Sequence, residues 1–227
     1  MPTSTEKPIL MSGAMVEAIL EGKKTMTRRV VKTQNGPIDH SELLLDVKDS
    51  TARFQNRLFY ETSVRCPFGK VGDRLWVRET IEVSSSFTDD GRIIFCDGAL
   101  QDVGPLSGDI PEASLPGYFR WIDRSHRTKK SIRVPSIYMP RWASRITLQI
   151  TEIRVERVND ICGEGAMAEG IEVPDCYECD RLINESAVRR FHALWDSING
   201  KREGCDWKTN PWVWVVGFRA LTAEELS

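Results

Sequence analysis

Long apolar runs are missing from this 227-residue chain, which also has few histidines and no strong net charge of either sign. No stretch approaches the roughly 20 apolar residues that a membrane helix needs, so no membrane partner is expected. Residues 1–7 lack the apolar segment of a secretory signal, and the expected compartment is the cytoplasm. A formal net charge of −2 excludes a general polycation, so any nucleic-acid contact must come from local patches. The six cysteines, in a chain without a signal, are expected as reduced thiols. Cys176-x-x-Cys179 is the one metal-like spacing, with Cys162, Cys205 or His192 as the remaining candidate ligands. It has no second close pair, so zinc stands as the weaker alternative and no cofactor is expected. The chain shows no carboxylate cluster to anchor a catalytic metal, no internal repeat and no low-complexity segment.

What is present is ordinary for a soluble globular protein: 28% charged and 41% apolar residues. The length suffices for one large domain or two small ones. We read a single α+β domain over 1–227 with excursions at about 32–56 and 97–130. Residues 7–11 form a first strand. Ser12 caps a helix whose apolar side is Met15, Val16, Ile19 and Leu20, with Gly22 as its stop. Residues 32–55 show little periodicity around the turn Asn35-Gly36-Pro37. Along 74–83, Leu75, Val77 and Glu79 alternate with Trp76, Arg78 and Thr80, as when one face meets the core and the other a cleft. Residues 97–130 read as a long loop rich in glycine and proline. Residues 145–158 form a strand with a phase slip near Thr151-Glu152 that predicts a bulge. Asn159 or Asp160 caps a short helix ending at Glu169-Gly170. Asn184 starts another, with Ala187, Val188, Phe191, Leu194, Trp195 and Ile198 as its buried stripe. Residues 211–220 form the last strand.

Two stretches carry charge in a pattern that points to chemistry. The first, residues 22–29, packs Lys23, Lys24, Arg28 and Arg29 with the hydroxyls of Thr25 and Thr27 behind the first helix. In extended chain Thr25, Thr27 and Arg29 point one way and Lys24, Met26 and Arg28 the other. Lys24 meets Thr27 only when the strand starts after it and the turn re-aims the amine. The plain alternative is a solvated basic turn. The second is Arg120, Arg124, Arg127, Lys129, Lys130 and Arg133, interleaved with Tyr118, Phe119 and Trp121. Such a mixture suits single-stranded nucleic acid, the cations meeting phosphates and the rings stacking on bases. Equally, the rings can pin the loop to the body.

Gly22-x-Lys24-x-x-Thr27-x-Arg29 resembles the signature of the ASCH family, a branch of the PUA-like fold, in which most members carry Glu where Thr27 stands. That departure resembles the subgroup that hydrolyses N4-acetylcytidine. The likeness extends through 71–79 and the closing strand around 212–218, and similar chains occur mostly in phages. The resemblance implies a small mixed β-barrel flanked by helices. It implies hydrolysis of an acylated nucleobase or nucleoside amide by Lys24, Thr27 and Glu169, with Arg28, Arg29, Glu79 and Trp76 around the substrate. In that mechanism neighbouring cations lower the Lys24 pKa, so that the amine activates the Thr27 hydroxyl or a water, and Glu169 serves the leaving amino group. The competing expectation is a binding module for RNA or a modified nucleotide, without chemistry, using Arg127, Lys129 and Lys130. A nuclease is the third and weaker reading.

Overall fold

The computed structural model describes residues 5–33, 36–37, 42–48, 50–55, 61–85, 91–103, 110, 114–128, 131–173 and 180–226. Its strands are β1 (Glu6–Leu10), β2 (Met26–Val30), β3 (Lys32–Thr33), β4 (Gly36–Pro37), β5 (Glu42–Lys48), β6 (Thr51–Gln55), β7 (Glu61–Arg65), β8 (Arg74–Arg78), β9 (Ile81–Ser85), β10 (Gly91–Ile94), β11 (Leu100–Val103), β12 (Ile132–Val134), β13 (Thr147–Arg157) and β14 (Trp212–Ala220). Its helices are α1 (Gly13–Leu20), α2 (Leu115–Thr128), α3 (Gly163–Ala168), α4 (Asp180–Asn199) and α5 (Ala223–Leu226). The fold class is α+β, as the sequence indicates. The chain divides into two compact units, one of Met1–Lys7, Ala18–Leu75 and Leu148–Ser227, the other of Pro8–Glu17 and Trp76–Thr147. Among the described residues no helix is long and apolar enough to cross a membrane.

In the first unit β14 lies between β13 and β2, antiparallel to both. The β13–β14 register shifts between Ile150 and Glu152, where the apolar alternation changes phase. One face of β2 and β14 packs on α3 and α4 through Val213, Val215, Ala166, Ala187, Phe191 and Trp195, with Met26 and Val30 against that cluster. The predicted stripe of α4 is buried at Ala187, Phe191 and Trp195, but Ile198 is exposed. Residues 32–55, expected to be an irregular excursion, instead supply β3, β4, β5 and β6, the last two joining β7 in an antiparallel sheet. The consecutive Leu43-Leu44-Leu45 hides the alternation that β6 shows plainly, with Ala52 and Phe54 buried on either side of exposed Arg53.

In the second unit β11, β10, β9 and β12 form one antiparallel sheet in that order. Its core joins Ile81, Val83, Ile93, Phe95, Val134 and Met139 to Tyr118 and Ile122 of α2. The expectation of a structureless loop over 97–130 is therefore corrected: this stretch contains β11 and the 14-residue α2. Glycines and prolines concentrated before residue 118 mask a helical stripe in which Tyr118, Ile122 and Ser125 are buried at spacings of four and three residues. Pro116 falls at the second helical position, where a missing N–H is tolerated.

Candidate functional site

Among the described residues the most buried ionic cluster lies where β2 begins. Helix α1 ends on Gly22, whose φ of +73° takes the left-handed turn expected of that position. The amides of Lys23 and Lys24 both donate to the carbonyl of Ala18, which folds the basic stretch back under the helix. Lys24 then forms an isolated antiparallel bridge with Glu169, and the Thr25 amide donates to the Ala168 carbonyl. Regular strand starts only at Met26. The turn therefore re-aims Lys24, and it aims it at Glu169. The Lys24 amine donates to the Glu169 carboxylate at 2.6 Å and to the Glu169 carbonyl at 2.8 Å.

Glu169 is brought there by α3. The expected cap at Asn159 or Asp160 is corrected: those residues lie in a 3-10 turn, and the α3 cap is Cys162, whose Sγ accepts from the Gly165 amide. Glu169 itself closes the helix, and Gly170 at φ +88° turns the chain away. The other Glu169 oxygen accepts from Arg28 at 3.3 Å, while Arg28 Nε donates to Glu156 at 2.7 Å and Arg28 Nη1 to the Gly165 carbonyl at 3.3 Å. A Cβ at Gly165 would lie 2.9 Å from the Arg28 guanidinium, which would have to shift to admit it. The guanidinium also sits over the Phe191 ring at 5.8 Å.

The electrostatics follow from dryness. Lys24 and Glu169 are 2% and 5% exposed. Burial lowers the Lys24 pKa and is the largest influence on it; the Glu169 carboxylate opposes, and Arg29 and Arg28 add to the lowering. The sequence-based cause, neighbouring cations, is thus real but secondary. Lys23 plays no part in it: its amine is exposed and paired with Glu21 and Glu172, which raise its pKa. Arg29 is likewise lowered by burial, against the field of Glu169. Thr27 is buried on β2, opposite Val216, and strand alternation sets it with Arg29 on the face away from Arg28. The structure therefore joins Lys24, Glu169 and Arg28 directly, while Thr27, next to Arg28 in the strand, points to its other face. Glu156 and the backbone of Gly165 belong to the same cluster. Sequence reasoning missed both; Glu156 stands at a polar position of the β13 alternation, which gave no sign of its pairing with Arg28.

A groove of about 700 Å³ opens beside this cluster, lined by Lys23, Met167, Ala168, Gly170, Ile171, Glu172, Val173 and Arg190. These residues include the chain neighbours of both members of the buried pair. Arg190 donates to the Glu172 carbonyl at 3.2 Å, tying α4 to this rim.

The other expected site residues have partners of their own or fall outside the described residues. Glu79, in the second unit, is fully buried; Arg145 holds both its oxygens at 3.0 Å, and the Cys96 thiol donates to it at 2.9 Å. Its oxygens are thereby occupied within its own unit, as a buried ion pair. Trp76 is buried, with the Arg78 guanidinium over its ring at 4.7 Å. Arg127 is exposed on α2, while Lys129 and Lys130 fall outside the described residues. So do Cys176 and Cys179; among the described residues no group of three or more His, Cys, Asp or Glu is placed to hold a metal. His192 stacks on Trp207 and bonds to Asp196, and the Cys205 thiol donates to the Glu203 carbonyl.

No family model matches the chain, and no curated protein matches it. Among solved structures it is similar to an ASCH domain from Lactobacillus crispatus JV V101, at 10% identity and a TM-score of 0.35, over 95% of this chain and 79% of that one.

Proposed function

We propose that the protein is a hydrolase of ASCH type that cleaves the amide of an acylated nucleobase or nucleoside, with N4-acetylcytidine as the model substrate. The observation that carries this reading is the buried 2.6 Å contact from Lys24, in the stretch Gly22-x-Lys24-x-x-Thr27-x-Arg29, to the distant Glu169. A dry amine with a lowered pKa is a base at lower pH than an ordinary lysine, and a carboxylate beside it can return the proton. In the reaction, water adds at the acyl carbon, the C–N bond breaks, and acetate and cytidine leave. Lys24 takes a proton from that water, which the Thr27 hydroxyl positions; with Thr27 as the nucleophile instead, Lys24 takes its proton, an acyl-threonine ester forms as the C–N bond breaks, and water then cleaves that ester. Glu169 delivers a proton to the leaving amino nitrogen. Arg29, on the Thr27 face of β2, offsets charge on the developing oxyanion, and Arg28 holds Glu169 in place. The role of Thr27 comes from the family resemblance, as do the PUA-like barrel and a phage origin. The groove lined by Lys23, Gly170 and Arg190 is the entry for the substrate.

The test is release of cytidine from N4-acetylcytidine by the purified protein, with Lys24→Ala, Thr27→Ala and Glu169→Gln as variants. Loss of turnover in the folded variants is expected. Turnover that survives Lys24→Ala and Thr27→Ala rejects the assignment.

A further inference from the structure

The three-stranded sheet of the first unit ends on β7. That strand pairs with β6 in the register Thr51↔Arg65, Ala52↔Val64, Arg53↔Ser63, Phe54↔Thr62 and Gln55↔Glu61, and it is the outermost strand of its sheet. Ala52 and Phe54 are buried, so their ladder partners Val64 and Thr62 share the inner face. Glu61, Ser63 and Arg65 stand on the outer face, and all three are exposed. The direction of the backbone groups follows from a bond just past the strand, where the Cys66 amide donates to the Ser50 carbonyl at 2.7 Å. Hydrogen-bonded and non-hydrogen-bonded pairs alternate along an antiparallel ladder. Cys66, Val64 and Thr62 therefore direct their N–H and C=O groups to β6, and Glu61, Ser63 and Arg65 turn theirs away from it. The same three residues thus carry the outward backbone groups and the outer side chains, in the order acidic, neutral, basic. Within the chain Glu61 and Arg65 face the uncharged Gln55 and Thr51. Among the described residues neither is held by an ion pair.

We propose that β7 is a self-recognition edge, at which two copies of this chain join by antiparallel β7–β7 pairing centred on Ser63. The partner is a second copy because the charge order of the strand is its own antiparallel complement. Laid against itself about Ser63, the strand sets Glu61 across from the Arg65 of the second copy, twice by symmetry. Each of these pairs, and the Ser63 pair between them, exchanges two backbone bonds, about six in all. A slip of one residue presents N–H and C=O groups that point the wrong way, and a slip of two breaks both charge pairs. Charges on an edge strand block pairing with most chains, and here they select one. A net charge of −2 puts little repulsion between copies. Five residues a side is short of the roughly 20–30 of a standard interface, so the association is weak and concentration-dependent. The pairing joins two three-stranded sheets edge to edge and does not rest on the hydrolase reading.

The experiment is sedimentation velocity of the full chain at low salt, from about 5 to about 500 µM, the range in which a small interface shows itself. A concentration-dependent equilibrium between monomer and dimer is expected. Either charge reversal alone, E61R or R65E, makes both cross-strand pairs like-charged and is expected to raise the dissociation constant about tenfold or more. Mixing the two variants restores opposite charges at both pairs, so E61R with R65E is expected to form a heterodimer with an affinity near that of the wild type. S63P removes an N–H that β6 does not use and is expected to abolish dimerisation while the fold persists. Circular dichroism and thermal melts check that each variant is folded. A wild-type chain that stays monomeric at the highest concentration overturns the proposal. So does a dimer that E61R and S63P leave at full strength, since it lies on another surface. Failure of the mixed reversals to associate overturns it as well.

Discussion

At the scale of single residues, the amine of Lys24 is defined by what surrounds it rather than by its own chemistry. Removing one member of a buried ion pair leaves the other uncompensated, at about 3 kcal/mol or more. Lys24→Met is expected to lower stability by about that amount in urea denaturation, and Lys24→Met/Glu169→Leu to lower it by less than the sum of the two single changes. The lowered Lys24 pKa also sets a pH dependence. In the proposed hydrolysis the neutral amine is the active form, so kcat/KM is expected to rise with pH through a value below the ordinary lysine range; a rate-limiting base elsewhere would leave that limb in place in Lys24→Ala. A second residue titrates in the opposite sense. Burial, then Glu79, push the Cys96 thiol up to about 12 from an ordinary 9.0. A raised folded pKa contributes stability that is fully present below the unfolded value and is lost as pH rises toward the folded one. Cys96→Ala is therefore expected to be less sensitive than wild type to a shift from pH 9 to pH 11, measured as the difference between their urea midpoints.

At the scale of elements, two glycines at left-handed positions set how the cluster is assembled. Gly22 has open space where a Cβ would be, so Gly22→Ala meets the left-handed penalty alone, about 1 kcal/mol. A Cβ at Gly170 would lie 3.0 Å from the Ala18 Cβ and 3.3 Å from the Lys24 Cβ, with φ at +88°. Gly170→Ala is expected to cost clearly more, about 2 kcal/mol or above, and to reduce turnover with it; thermal melts of the pair decide the order. The elements differ in how readily the sequence displays them. The α1 stop at Gly22, the β13 phase slip and the α4 stripe are local patterns, visible because each residue's neighbours in the chain are its neighbours in space. Helix α2 and strands β5 and β6 were obscured by adjacent glycine, proline and leucine runs. The bond from Lys24 to Glu169 joins residues 145 positions apart, and no local period encodes it. Only the family resemblance paired them beforehand. The same holds for Arg145 and Glu79, where the sequence showed a carboxylate at a strand end but not the cation that holds it.

At the scale of the whole molecule, the two units are interleaved along the chain. Residues 8–17 belong with 76–147, and residues 18–75 belong with 148–227. Within the second unit the Met11 amide donates to the Arg78 carbonyl, and the Gly13 carbonyl faces the Cys96 thiol at 3.9 Å. A fragment of residues 76–147 lacks the buried Ile9 and Met11 of that unit and is expected to be far less stable than the full chain, read as loss of a cooperative thermal transition by circular dichroism. The first unit has a parallel dependence on order of synthesis. Strand β2, made among the first thirty residues, finds its ladder partner only in residues 213–217 of β14. During translation the strand that follows the basic stretch therefore waits for about 180 further residues to emerge before it can pair with β14. Long-range closure of this kind is slow. A ribosome that stops short of Trp212 releases a chain with the motif written in it and no β14 to pair with β2, so the strand behind the motif stays an open edge until its distant partner is made.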